Sequence, residues 1–82
     1  MEIWINCIFG VFFTLNVEPS ISVKDVKEII EDRIGLKRKH QRLLFAGRML
    51  QDENCLAYYN MSKESTIHIV PRPSSFPHGD GI

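Results

Sequence analysis

Residues Ser22–Gly35 read SVKDVKEIIEDRIG, and this stretch predicts an amphipathic helix. Its apolar residues recur at spacings of three and four, which places them on one side of a helix: Val23, Val26, Ile30 and Ile34. Ser22 followed by Asp25 resembles a capping box, because a serine hydroxyl accepts hydrogen bonds from unpaired amides of the first turn. Gly35 suits the left-handed residue that ends many helices. Since one apolar stripe must pack against another element, the flanking segments decide the fold.

The segment before the helix predicts a β-hairpin. Apolar residues occupy every second position from 3 to 7 and again from 13 to 17, which is the period of half-buried strands. Phe9-Gly10 interrupts the alternation, and Pro19 ends the second strand because proline has no N–H to donate to a ladder. The side chains expected to face inward are Ile3, Ile5, Cys7, Phe13, Leu15 and Val17.

Shorter elements follow the helix. We expect a basic loop at Lys37–His40, a strand at Arg42–Phe45, and a turn at Ala46–Gly47 that leads to a partner strand at Arg48–Leu50. One helical turn at Leu56–Tyr59 and a last strand at Thr66–Val70 follow. This order predicts an α+β fold, with one helix packed across one face of a mixed sheet of about five strands. The chain divides into a domain at 1–72 and a Pro- and Ser-rich segment at 73–82, interpreted as a flexible tail or the start of a linker.

Composition argues against several function classes. Ten basic and ten acidic residues balance among the 82, so no bulk field attracts nucleic acid or anionic lipid. The apolar run Ile8–Phe13 is too short to span a bilayer, and the N-terminus lacks the basic start and cleavage site of a secretory signal. Cys7 and Cys55 show no metal-ligand spacing, and we expect reduced thiols in an intracellular protein. The prediction is therefore no membrane contact, no metal, no cofactor, and a cytoplasmic or nuclear location.

Several motifs carry a family resemblance. They are Val17-Glu-Pro-Ser20, Gln41-Arg-Leu43 with Phe45-Ala-Gly47, Tyr59-Asn60, and Lys63-Glu-Ser-Thr66, with His68 and Val70 near the end. They resemble the ubiquitin family, and ubiquitin itself very closely, with no gap over residues 1–72. The resemblance implies a β-grasp fold whose last strand lies between the first and the third. It also implies a core of Ile3, Ile5, Phe13, Leu15, Val17, Val26, Ile30, Leu43, Leu50, Leu56, Met61, Ile67 and Ile69.

The chain departs from the family where conjugation takes place. Of the lysines that the family uses for chain growth, Lys27 and Lys63 have counterparts, and the other positions hold Asn6, Val11, Ile29, Arg33 and Arg48. Arginine keeps the charge but is not an acceptor amine. Ser75-Phe76 stands at the diglycine position, and residues 79–82 contain no adjacent glycines. The resemblance therefore implies a ubiquitin-like domain that lacks the C-terminal diglycine and is not conjugated.

The resemblance also implies a binding patch on the open face of the sheet. Carried over to this sequence, the family's recognition surface is Ile8, Leu44, His68 and Val70, with Arg42 and Gly47 at the rim. Aliphatic side chains that point outward on adjacent strands favour a partner. The alternative is that they are ordinary sheet residues that happen to be apolar. The partners implied are ubiquitin-binding domains or proteasome receptors.

A second candidate patch is aromatic. Trp4 and Phe12 are expected side by side, facing outward on the first two strands, with Phe9 at the hairpin tip. Cross-strand aromatic pairs stabilise a sheet, which is sufficient reason for their presence. Tryptophan is also a frequent interface anchor. The patch is therefore interpreted equally as a second partner surface or as a site of weak self-association in a monomeric protein.

Two other kinds of site have little support. Lys37–His40 with Arg42 is typical of a solvated basic loop, and no aromatic interleaving or groove-entering helix indicates nucleic-acid recognition. No histidine is forced near Cys7 or Cys55, so we expect no enzyme.

Three functions remain. The favoured one is a non-conjugated ubiquitin-like protein-interaction module of the ubiquitin–proteasome pathway. The alternatives are a ubiquitin-type protein modifier, and a β-grasp adaptor that uses its basic loop.

Overall fold

The computed structural model of the chain describes residues 1–8 and 10–71. It contains the strands β1 (Glu2–Cys7), β2 (Phe12–Asn16), β3 (Gln41–Phe45), β4 (Arg48–Met49) and β5 (Thr66–Pro71), and the helix α1 (Val23–Ile34). Turns of 3-10 helix lie at Arg38–His40, within the predicted loop, and at Leu56–Tyr59. Phe9, Arg72 and the predicted tail at 73–82 lie outside the described residues. In the described part, no helix is long and apolar enough to cross a membrane.

The five strands form one mixed sheet in the order β2-β1-β5-β3-β4. β1 and β5 run parallel, whereas the other neighbouring strands are antiparallel. The last strand therefore lies between β1 and β3, which confirms the α+β, β-grasp fold that the resemblance implied. Because β5 separates β1 from β3, residues distant in the chain share rows across one face of the sheet.

The caps of α1 are those that the sequence predicts. The Ser22 hydroxyl accepts a hydrogen bond from the Asp25 amide at 3.0 Å. Gly35 has a φ of 79°, in the left-handed region that glycine adopts without a Cβ clash, and its amide donates to the Glu31 carbonyl at 2.8 Å. Both ends of the helix thus have partners for backbone groups that would otherwise be unpaired.

The apolar stripe of α1 packs against the inner face of the sheet. The buried apolar residues are Ile3, Ile5, Cys7, Leu15, Val17, Val23, Val26, Ile30, Leu43, Leu50, Leu56, Tyr59, Met61, Ile67 and Ile69. Cys7 and Val23 were predicted to face inward from their periods, but Tyr59 was not predicted. Leu50 belongs to the core as expected, although β4 ends one residue earlier, at Met49.

Phe13 corrects the predicted core, because it is only partly buried. It lies on β2, the last strand at one side of the sheet. The guanidinium of Arg33 lies 4.9 Å from the centre of the Phe13 ring and forms a cation–π contact. Phe13 therefore lies at the border of the core: it packs against the buried residues and is also covered by the Arg33 guanidinium.

Candidate protein-binding face

The sheet face opposite α1, called the outer face below, carries the predicted patch. Leu43, Ile67 and Ile69 enter the core. Since side chains alternate along a strand, the residues between and beside them point to the outer face: Arg42, Leu44, His68 and Val70.

The strand register brings these residues together. Leu44 lies directly opposite His68, and Arg42 lies opposite Val70 on the same antiparallel pair. Ile8 follows β1, and its amide donates to the carbonyl of Ile69, beside Val70, at 3.4 Å. The Ile8 residue is 62% exposed, His68 is exposed, and Leu44 and Val70 are partly exposed. Ile8, Leu44, His68 and Val70 form what we call the central patch.

The two predicted rim residues border the central patch in different ways. Gly47 is exposed in the turn between β3 and β4, where Ala46 and Gly47 have φ values of 53° and 78°. Arg42 is partly exposed, and its Nε is buried without a hydrogen-bond partner among the described residues. Arg42 also lines a cleft of about 230 Å³, together with the acidic residues Asp52 and Glu53. The rim therefore has mixed charge at this corner.

Met49 is an outer-face residue that the sequence reasoning missed. It pairs directly with Leu44 and is 43% exposed. Burial of Leu50 was predicted, and strand alternation would then have placed Met49 outward, but the short strand β4 made that signal weak. One row crosses all five strands on the outer face: Phe12, Asn6, His68, Leu44 and Met49.

Trp4 and Phe12, called the aromatic pair below, lie in the predicted arrangement. Their ring centres are 5.2 Å apart and their planes differ by 16°, so the rings are stacked. Phe12 is 57% exposed and Trp4 is partly buried. Asn6 separates Phe12 from His68 in the row, so the aromatic pair and the central patch share one face without contact through this row. Phe9, the third predicted member, lies outside the described residues.

The basic loop has internal partners for part of its charge. A guanidinium nitrogen of Arg38 lies 2.9 Å from a carboxylate oxygen of Glu28, and the Arg38 amide donates to Glu31 at 3.3 Å. The adjoining groove, of about 470 Å³, is lined by three acidic and three basic residues: Glu28, Glu31, Asp32, Lys37, Arg38 and Lys39. This balance gives no support to an adaptor that would attract acidic partners through the loop.

The cysteines and the two counterpart lysines differ in access. Cys7 is buried under the sheet, whereas Cys55 is partly exposed, and both are free thiols. Lys27 is 5% exposed, and Lys63 is exposed. Burial of the Cys7 sulfur closes it to a substrate, and the Lys27 ammonium pairs with a carboxylate oxygen of Asp52 at 2.7 Å.

Comparison with known proteins agrees with this geometry. The chain matches the profile of the Ubiquitin family over residues 8–74. It is 29% identical over 79 residues to Ubiquitin-like protein 4A of Xenopus tropicalis, covering 96% of this chain and 53% of that protein. It is 36% identical over 83 residues to Large proline-rich protein bag6-A of Xenopus laevis, covering 99% of this chain and 7% of that protein. A NEDD8-like protein, RUB3 of Arabidopsis thaliana, is 29% identical over 70 residues, covering 85% of this chain and 90% of that protein.

These relatives are 29% to 36% identical to the chain. The very close likeness to ubiquitin itself stays a prediction. The chain spans about half the length of Ubiquitin-like protein 4A and a small fraction of bag6-A, so the similarity concerns part of each. With its β-grasp sheet and a profile match over most of its length, this chain belongs to the ubiquitin family.

Proposed function

We propose that this domain is a non-conjugated protein-interaction module that binds ubiquitin receptors or proteasome subunits through the central patch. The observation that carries the proposal is the pairing of Leu44 with His68 on the outer face, flanked by Val70 and by Ile8, which is 62% exposed. An isolated exposed aliphatic residue is ordinary, but these lie on adjacent strands around one imidazole. Covering them with a partner removes apolar surface from water at a gain of about 25 cal/mol per Å².

The form of the patch favours a small partner element. Its apolar centre is bordered by Arg42 and Gly47, and this combination of apolar core and polar rim is typical of protein interfaces. A patch of a few residues lies at the low end of specific interfaces, so we expect a Kd on the order of micromolar. A short amphipathic helix laid across β3 and β5 would contact Leu44, His68 and Val70 together.

A module of this kind suits the similarity to larger proteins. The matching segment makes up 7% of bag6-A, so most of that protein lies outside the similarity. By analogy we propose that the domain recruits ubiquitin-pathway proteins, in the cytoplasm or nucleus, and performs no catalysis of its own.

The lack of conjugation rests on the segment after the domain. Ser75-Phe76 replaces the flexible diglycine, and Pro71 and Pro73 restrict the backbone before it. We expect no thioester when the chain is incubated with ATP, a ubiquitin-activating enzyme and a conjugating enzyme, with ubiquitin as the positive control. A reducible adduct of the native chain would refute this part of the proposal.

An NMR titration tests the binding surface. A helical ubiquitin-interacting peptide is added to the ¹⁵N-labelled chain, and amide shifts are followed residue by residue. We expect the largest shifts at Ile8, Leu44, His68 and Val70. Shifts centred on Trp4 and Phe12, with positions 44, 68 and 70 silent, would transfer the site to the aromatic pair and overturn the assignment. A peptide whose central apolar residue is replaced by aspartate is the control, and we expect it to cause no shifts.

A further inference from the structure

The free side of β2 is the other unusual surface of this domain. β2 forms one edge of the sheet, since only β1 pairs with it among the described strands. The segment Val11–Val17, VFFTLNV, contains no charged residue, no proline and no glycine. Natural edge strands are usually kept from pairing with other chains by short length, by charge, by proline or by a bulge. β2 carries no charged residue and no proline, and its register with β1 is unbroken from Phe12 to Asn16.

The other sheet edge shows the contrast. β4 consists of two residues, Arg48 and Met49, so it is short and carries a charge. Arg33 lies against β2 on the helix side, where its guanidinium covers the Phe13 ring at 4.9 Å. That contact shields the inner face of β2 but does not occupy the backbone groups at its edge.

The pairing with β1 identifies which backbone groups of β2 are free. The Cys7 amide donates to the Val11 carbonyl, and the Val17 amide donates to the Met1 carbonyl, both at 2.8 Å. In an antiparallel pair, hydrogen-bonded residues alternate with residues whose N–H and C=O point away. The odd-numbered residues of β2 therefore bond to β1. The N–H and C=O groups of Phe12, Thr14 and Asn16 point to the free side.

We propose that β2 pairs in an antiparallel manner with β2 of a second copy of this chain, with the two-fold axis at Thr14. This register places Thr14 opposite Thr14 of the other copy and Phe12 opposite Asn16, so every free backbone group of the strand gains a partner. The sheets of the two copies then join into one, and each Phe12, 57% exposed in the monomer, packs at the junction.

A second copy of the chain suits this edge because the strand is uncharged. A two-fold symmetric interface sets each surface against itself, so a charged strand would meet its own charge. The uncharged strand avoids that repulsion and offers no ion pair to a charged partner. The contact is short, about 17 Å for five residues, so the association is weak and depends on concentration.

The pairing leaves the central patch accessible. Leu44 lies on β3, three strands away from β2 in the sheet, or about 14 Å at the usual strand spacing. The two copies can therefore each bind a receptor. The proposed edge pairing and the proposed receptor binding are independent, and each can fail without the other.

Hydrogen exchange of the unmodified chain gives a direct test. At low concentration the amides of Phe12, Thr14 and Asn16 should exchange quickly, whereas those of Phe13 and Leu15 are held by β1. When about two thirds of the chains are paired, exchange at the three free amides should slow about threefold, because only the unpaired third is open. Exchange at these amides that does not change with concentration, up to about 1 mM, would overturn the proposal.

Charge variants test the register. Thr14→Lys and Thr14→Glu each place like charges opposite one another, so each variant alone should associate about tenfold more weakly in sedimentation equilibrium. An equimolar mixture of the two should regain association, because lysine then meets glutamate. Thr66→Lys is the matched control, since Thr66 flanks Trp4 on β5 as Thr14 does on β2. A mixture that stays monomeric, or a Thr66→Lys chain that dissociates equally, would contradict pairing through β2.

Discussion

The ammonium of Lys27 lies 2.7 Å from a carboxylate oxygen of Asp52, and the lysine side chain is only 6% exposed whereas that of the aspartate is 47% exposed. The contact joins α1 to the segment after β4. Its asymmetry has a consequence for stability, because loss of the aspartate charge leaves a buried cation without its counter-charge.

Asp52→Asn should destabilise the domain. A fully buried pair costs about 3–5 kcal/mol when one partner is removed, and the partial exposure of Asp52 reduces this to about 1–3 kcal/mol. The free energy of unfolding from urea titration measures the effect. Glu53→Gln, an exposed neighbour in the same segment, is the control and should change stability by less than about 0.5 kcal/mol. Equal losses in both variants would contradict the role of the pair.

Tyr59→Phe should also destabilise the domain. The buried Tyr59 hydroxyl accepts hydrogen bonds from the Gln51 amide at 2.8 Å and from the Asn54 side chain at 3.0 Å. Removing one oxygen leaves both donors without this partner, at a cost of about 1–3 kcal/mol. The adjacent Tyr58 is 61% exposed, so Tyr58→Phe should leave the thermal midpoint nearly unchanged. Equal thermal midpoints for the two variants would show that the Tyr59 hydroxyl does not stabilise the loop.

The two thiols should differ in reactivity. Cys55 is partly exposed at the start of the Leu56–Tyr59 turn, whereas Cys7 is 1% exposed. We expect a thiol reagent to label Cys55 first in the native chain, and both cysteines at equal rates in urea, since burial blocks the approach of the reagent. Mass spectrometry of labelled peptides measures this order. Prior labelling of Cys7 would show that β1 opens more readily than the fold implies.

The periodic residues account for what the sequence could predict. The stripe on α1, the caps at Ser22 and Gly35, and the inward set on β1 depend on local spacing, and the structure confirms them. The placement of β5 between β1 and β3 came from the family resemblance, because local periodicity contains no information on which strands are neighbours.

The remaining features depend on partners far apart in the chain. Gln41 is fully buried because its side-chain amide donates to the carbonyls of Lys27 and Leu36, at 2.9 and 2.8 Å. Lys27 is buried because its ammonium forms an ion pair with the Asp52 carboxylate. A polar residue is expected to be exposed when only the sequence is known, so the burial of Gln41 and Lys27 was not predicted. Met49 could be assigned to the outer face only from its pairing with Leu44.

Leu44→Ala tests the central claim that the patch around Leu44 and His68 binds ubiquitin receptors. Leu44 lies on the outer face, so the fold should persist, as the dispersion of amide shifts will show. Loss of a central aliphatic contact of roughly 1–2 kcal/mol predicts about a tenfold weaker Kd. Tyr58→Ala, which removes an exposed aromatic side chain located off the sheet, is the control and should bind normally.

Calorimetric titration of wild type, Leu44→Ala and Trp4→Ala with one helical ubiquitin-interacting peptide compares the two surfaces most directly. The account predicts that Leu44→Ala raises the Kd about tenfold and that Trp4→Ala changes it by less than about twofold. A Kd unchanged by Leu44→Ala and raised about tenfold by Trp4→Ala would contradict the account and assign binding to the aromatic pair.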